Sequence, residues 1–166
     1  MAKENSFDIV SEINMQEVDN AVNQAIKEVR NRYDLKNSDT EILLNKDEGE
    51  IIITTENDFT LKSVLDVFKS KLIKRGISLK ALQAGKIEPA IGGKSKQKFD
   101  IVQGISQDIG KEINKAIKEN KIKVKVQIED VKLRVFGKSR DELQEAISLI
   151  KSKDFKIPLQ FTNYRQ

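Results

Sequence analysis

The sequence predicts an α+β protein made of two tandem β-α-β-β-α-β units, and three observations carry that expectation. The tetrapeptide Phe7-Asp8-Ile9-Val10 recurs as Phe99-Asp100-Ile101-Val102. A helical pattern follows each copy, and Ala25-Ile26-Lys27-Glu28 in the first matches Ala116-Ile117-Lys118-Glu119 in the second. Each helix then gives way to two strand-like runs and another helix, where Lys69-Ser70-Lys71 matches Lys151-Ser152-Lys153. This order is the split βαβ or ferredoxin-like unit, a four-stranded antiparallel sheet with two helices on one face, and 166 residues accommodate two of them.

The elements follow in order. After the first strand, Val18, Val22, Ala25, Ile26, Val29 and Tyr33 fall at helical spacing. Thr40 to Asn45 and Glu50 to Thr55 form a strand pair around the turn Asp47-Glu48-Gly49. Leu61, Val64, Leu65, Phe68 and Leu72 mark the second helix, and Ile77 to Leu82 a closing strand. The stretch after Gln83 lacks apolar periodicity and holds Gly85, Pro89, Gly92 and Gly93, so it is expected to be a connector. The expected boundaries are a first repeat over 1–84, a connector over 85–98 and a second repeat over 99–166. In the second repeat, Ile109, Ile113, Ala116 and Ile117 form the helix, and Ile122 to Ile128 and Val131 to Phe136 the hairpin, closed by Glu129-Asp130. Leu143, Ala146, Ile147 and Ile150 give the last helix and Leu159 to Thr162 the last strand.

Composition narrows the chemistry. The chain has no Cys, His or Trp, which excludes disulfides, thiolate and imidazole metal ligands, cysteine nucleophiles and histidine-assisted catalysis. Hydrophobic content of 38% and charged content of 34% suit a soluble globular chain with an aliphatic core. No apolar run approaches the roughly 18–20 residues of a membrane span, and MAKENSFDIV has no signal-like core, so the expected location is the cytoplasm, away from the membrane. The net charge of +4 is unevenly placed. Up to Gln83 there are 12 basic and 15 acidic residues, and from Ala84 onward 18 and 11. The second half is therefore the one that attracts anions.

Within that half, Lys121-Ile122-Lys123-Val124-Lys125-Val126-Gln127-Ile128 alternates strictly and projects its lysines to one side. Lys132, Arg134 and Phe136 join that side from the partner run. With Glu129-Asp130 as the turn, Ile128 pairs with Val131, placing Lys125 opposite Arg134 and Lys123 opposite Phe136. Like charges directly opposed disfavour a sheet by roughly 0.2–1 kcal/mol, and a bound polyanion would account for keeping them. The plainer alternative is a set of lysines that keeps an open sheet soluble.

Gly137-Lys138-Ser139-Arg140-Asp141-Glu142 joins a strand to a helix with the spacing of a capping box. Lys138, Ser139 and Arg140 there form a second phosphate-site candidate, beside the reading as an ordinary cap. Neither this Gly-Lys-Ser nor the one at 93–95 is a P-loop, because the required glycine five places earlier is Lys132 or Glu88. Arg75, with Lys71 and Lys74, ends the second helix and is an outlying phosphate candidate. Asp8 and Asp100 raise a metal-binding carboxylate pair as a minor alternative. No RNA-recognition signature interrupts the strands, so phosphate contacts should dominate over base reading.

Ser6-Phe7-Asp8-Ile9-Val10-Ser11-Glu12, Lys74-Arg75-Gly76, Gly137 to Gln144 and the tail Gln160-Phe161-Thr162-Asn163-Tyr164-Arg165 closely resemble the bacterial YajQ family across nearly the whole chain. The resemblance implies two ferredoxin-like domains that exchange their N-terminal strands, 6–12 and 98–103. It also implies a nucleotide-binding protein without enzymatic activity or cofactor, whose relatives are described as binding purine nucleotides such as GTP or ATP, RNA, or cyclic di-GMP in a regulatory role. Members can read Gly-Lys-Thr-Trp where this chain reads Gly93-Lys94-Ser95-Lys96, so Lys94 and Lys96 remain as phosphate-attracting groups without an aromatic platform. The expected function is thus phosphate contact with a purine nucleotide, cyclic dinucleotide or RNA through the basic sheet face. A module docking an acidic protein such as a transcription regulator comes second, and a metal-dependent phosphoesterase third.

Overall fold

A computed structural model describes residues 4–166. The chain divides into two compact units, one running up to Glu12 and resuming over Gln103–Gln166, the other spanning Ile13–Val102.

The Ile13–Val102 unit contains α1 (Met15–Asn31), β2 (Glu41–Asn45), β3 (Glu50–Thr55), α2 (Asp58–Lys74), β4 (Leu82–Ala90) and β5 (Lys94–Ile101), following β1 (Asn5–Val10) of the other unit. Helix α1 starts at Asn14, whose side chain accepts from the amides of Gln16 and Glu17. Its apolar stripe, Val18, Ala21, Val22, Ala25 and Val29, is buried. Asn57 caps α2 in the same way. That helix stops where Gly76 takes φ +78° and Ile77 N–H donates back to Leu72 O at 2.9 Å, the Schellman arrangement. Phe68, Leu61 and Leu72 from α2 meet Ile51, Ile53 and Phe99 from the sheet in one core cluster.

The strand order in this unit is β2-β3-β5-β4, all neighbours antiparallel. The Phe99 strand therefore occupies the place of a first strand in the sheet of the preceding repeat. The segment 85–98, expected as a connector, forms most of the β4–β5 hairpin instead. Strand β4 lies at the sheet edge with nearly all its side chains exposed, which leaves no apolar alternation to read. Pro89 is tolerated there because an edge strand need not donate on both sides. Gly92 and Gly93, at φ +79° and +76°, make the turn. The closing strand expected from Ile77 starts at Leu82, after a short 3-10 turn over Leu79–Ala81.

The other unit contains β1, α3 (Gln107–Glu119), β6 (Val124–Glu129), β7 (Lys132–Gly137), α4 (Arg140–Ser152) and β8 (Gln160–Arg165), with strand order β6-β7-β1-β8. The Phe7 strand thus lies in the second sheet, as the expected strand exchange requires. Phe7, Ile9, Leu133 and Val135 from the sheet, with Ile113 and Ile117 from α3 and Leu143, Ile147 and Ile150 from α4, make up the buried apolar set. Phe7 is fully buried and Phe99 nearly so, each on the first strand of one repeat lying in the sheet of the other. No helix among the described residues is long and apolar enough to cross a membrane.

The second hairpin differs from its expected register. Glu129 pairs with Lys132, Gln127 with Arg134 and Lys125 with Phe136, so the two-residue turn is Asp130-Val131. Asp130 adopts φ +54°, a conformation that Asp accepts more readily than Glu, and the shift sets a Glu opposite a Lys. The expected opposition of Lys125 to Arg134 and of Lys123 to Phe136 does not occur. Strand β6 starts at Val124: Lys121 sits in the left-handed region beyond α3, and Lys123 precedes the strand.

Candidate functional site

Alternation along β7 sends Leu133 and Val135 into the core and Lys132, Arg134 and Phe136 to the opposite face. Across that face the register sets Lys125, Phe136, Ser6 and Arg165 in one row, and Gln127, Arg134, Asp8 and Thr162 in the next. Phe136 is half-buried, and Lys123 and Lys125 are exposed on its β6 side. Neither lysine forms an ion pair with a described residue.

The middle of the face is organised by Asp8, which is only 3% exposed. Arg134 Nε donates to its Oδ1 at 3.0 Å, Asn163 Nδ2 donates to its Oδ2 at 2.9 Å, and Lys132 Nζ lies 3.5 Å from the same oxygen. Burial pushes the Asp8 carboxyl up, but the hydrogen bonds from Arg134 and Asn163 and the charges of Arg134 and Lys132 together outweigh it and hold Asp8 below its ordinary value of 3.8. The hydrogen bond from Arg134 to Asp8 in turn raises the guanidinium. Arg134 also reaches Glu129 at 3.7 Å. Two of the expected phosphate ligands, Lys132 and Arg134, are therefore neutralised by Asp8 and Glu129. The face is basic mainly along β6 and at Arg165.

Asn163 is what brings this network together. It takes φ +57° within a register shift of β8, so Thr162 and Asn163 both serve the Asp8 side while Phe161 and Tyr164 both reach Phe7. The sequence reading raised Asp8 only as a metal ligand paired with Asp100, and did not single out Asn163, Tyr164 or Arg165 as candidates for this face. The signal was present in the tail motif but needs the bulge to be interpreted.

At the start of α4, Ser139 accepts from Glu142 N–H, and the Glu142 carboxylate accepts from Lys138 N–H. Those groups are used by the helix cap itself. Gly137 permits this turn because a Cβ there would stand 3.0 Å from Leu143 Cδ2. Lys138 and Arg140 are both exposed at the helix start.

Arg75, Lys94 and Lys96 belong to the other unit. Arg75 caps the end of α2 and pairs with Glu17 at 3.5 Å, while Lys94 pairs with Asp39. Lys96 lies on β5 between Thr54 and Glu88. Asp100, the repeat counterpart of Asp8, is exposed on β5 and stands in the other sheet. Among the described residues no group of three or more Asp or Glu could hold a metal ion.

Comparison with known proteins adds to this geometry. Residues 5–165 match the model of the family described as YajQ, nucleotide-binding protein YajQ-like. The chain belongs to this family. A relative from Geotalea daltonii, named a nucleotide-binding protein, is 56% identical over 161 residues, covering 97% of this chain and 99% of the relative. Another of the same name, from Carboxydothermus hydrogenoformans, is 54% identical over 165 residues, covering 99% of this chain and all of the relative. The family match takes in both sheets, so the exchanged strands and the tail that carries Asn163 fall inside it.

Proposed function

We propose that this protein binds the phosphates of a purine nucleotide, a cyclic dinucleotide or RNA on the face of the β6-β7-β1-β8 sheet that Lys125 and Phe136 share, in a regulatory, non-catalytic role. The observation that carries the reading is the row itself: a half-buried phenyl ring flanked by an unpaired lysine on one side and Arg165 two strands away. An aromatic ring between cations suits a base stacked over a sheet with its phosphates on the rim. The names of the relatives support the ligand class, and the resemblance to the family supports the regulatory role.

Lys123 and Lys125 carry the open charge, and Lys132 and Arg134 act through the field they share with Asp8. The test is Lys123→Glu combined with Lys125→Glu, both at exposed positions without ion pairs among the described residues. Affinity for single-stranded RNA or the bound nucleotide should fall at least about tenfold with the thermal midpoint unchanged, since reversing two charges repels phosphate. Unchanged affinity removes this face from the account.

The exposed Lys123 and Lys125, which form no ion pair with a described residue, equally suit a second reading in which the same face docks an acidic protein. Salt-sensitive retention of such a partner after nuclease treatment, with no nucleotide bound, would support it.

A further inference from the structure

A separate cleft opens in the same unit between the first turn of α4 and the end of β8. Its volume is about 260 Å³, and Asn5, Arg140, Leu143, Gln144, Tyr164 and Arg165 line it. We propose that this cleft is a site for a ring-bearing phosphomonoester of nucleoside monophosphate size, with Tyr164 stacking the ring and Arg140 and Arg165 holding the phosphate.

The aromatic wall is already fixed in place. Tyr164 lies 5.9 Å from the fully buried Phe7, ring centre to ring centre and tilted by 33°, yet remains 58% exposed. One side of the phenol is thus held by the core while much of the ring stays available to a partner. Leu143 adds apolar surface, and the side-chain amides of Asn5 and Gln144 offer donors and acceptors for a heterocycle edge.

The cations are available, in contrast to those at the centre of the sheet face. Arg134 and Lys132 are claimed by Asp8, whereas neither Arg140 nor Arg165 forms an ion pair with a described residue. The cleft lining includes no Asp or Glu side chain. Glu142, which precedes Leu143 on the helix, is held by the cap through Lys138 N–H. Two guanidinium groups from different elements suit a dianionic phosphate better than a single lysine would, because their planar forks donate paired hydrogen bonds to its oxygens.

Size decides the class. Ligand pockets commonly measure roughly 300–1,000 Å³, so a cleft of about 260 Å³, just below that range, suits a monophosphate rather than a whole cyclic dinucleotide or a strand of RNA. The choice of a nucleotide-like ring rests on the proposed function, but the place does not.

The experiment uses the full chain with ring-labelled tyrosines and NMR detection. The sequence has only two tyrosines, and Tyr33, 89% exposed in the other unit, serves as the internal control. AMP, GMP and phenyl phosphate are titrated against adenosine and inorganic phosphate. A monophosphate should shift the Tyr164 signals saturably and leave those of Tyr33 in place. Arg140→Gln and Arg165→Gln should each weaken that binding about tenfold, as loss of a charge-assisted contact does, and adenosine should bind weakly at best. Lys123→Glu with Lys125→Glu should leave the Tyr164 titration within about twofold, since its charges lie on other elements.

A Tyr164 signal indifferent to every monophosphate, or a response untouched by both arginine variants, overturns the cleft. If nucleotide still binds and only the lysine variant abolishes it, the cleft fails while the sheet reading stands. If Tyr164 responds and the lysine variant weakens binding of none of GTP, ATP, cyclic di-GMP and RNA, the cleft stands and the sheet reading fails.

Discussion

Replacing Asp8 with Asn should lower stability and strengthen phosphate binding at once. The carboxylate is 3% exposed and accepts hydrogen bonds from Arg134 and Asn163 at 3.0 and 2.9 Å, with a second cation, Lys132, at 3.5 Å. Hydrogen bonds to charged groups are worth roughly 1.5–3 kcal/mol each, and the asparagine oxygen can keep one of them, so the net loss near neutral pH should be about 2 kcal/mol. Removing the charge also frees Arg134 and Lys132, which raises the positive potential of the face. Urea denaturation followed by circular dichroism measures the first effect, and titration with single-stranded RNA the second.

Acid provides an independent check. Because folding holds the Asp8 carboxyl below 3.8, its contribution is complete above that value and is lost as pH falls through the lower folded value. The stability gap between wild type and Asp8→Asn should therefore stay constant down to about pH 5 and shrink below about pH 4, the range set by the unfolded carboxylate. Arg134→Met should be less acid-sensitive than wild type, because an Asp8 that has lost this donor is protonated more readily. Equal stabilities at pH 7, or a gap that does not close in acid, would refute the idea that Asp8 organises the face.

Three further outcomes are expected. Asn163→Ala removes the 2.9 Å hydrogen bond to Asp8 and places alanine at φ +57°, so urea melts should show a loss of about 2–3 kcal/mol, the sum of a charge-assisted bond and left-handed strain. In Lys123→Glu with Lys125→Glu, the slope of log affinity against log salt for single-stranded RNA should become shallower by about 1.4, two phosphate contacts at roughly 0.7 each. Phe68→Ala, at a fully buried position in the Ile13–Val102 core, should cost about 3–5 kcal/mol in thermal or urea unfolding.

Both repeats were legible because their helices carry strong apolar stripes, as in Val18, Val22, Ala25 and Val29, and because Phe7 and Phe99 recur with their neighbours. The family resemblance supplied the strand exchange, which no local pattern encodes. Strand β4 was missed since an exposed edge strand is held by backbone pairing and needs no alternation. The β6–β7 register escaped for another reason: a slip of two residues keeps every side chain on its own face, so alternation cannot choose between turns at Glu129-Asp130 and Asp130-Val131.

The same limits apply to the site. The pattern identified Lys125, Lys132, Arg134 and Phe136 as sharing a face, but it could not show that Asp8 from a strand more than a hundred residues away lies beneath two of them. Asp8 and Asp100 look equivalent in the repeat, yet one is buried under cations and the other is exposed. Tyr164 and Arg165 were hidden by a bulge at Asn163, where one extra residue resets the alternation of β8.

The most direct test of the central claim is calorimetric titration of nuclease-treated protein with GTP, ATP, cyclic di-GMP, single-stranded RNA and tRNA at two salt concentrations, repeated with Lys123→Glu plus Lys125→Glu. Saturable binding of at least one phosphate-bearing ligand, weakened at least about tenfold by the double substitution, is the result expected of a phosphate-reading sheet face. Absence of binding across the panel, or binding that the substitution leaves intact, would contradict it.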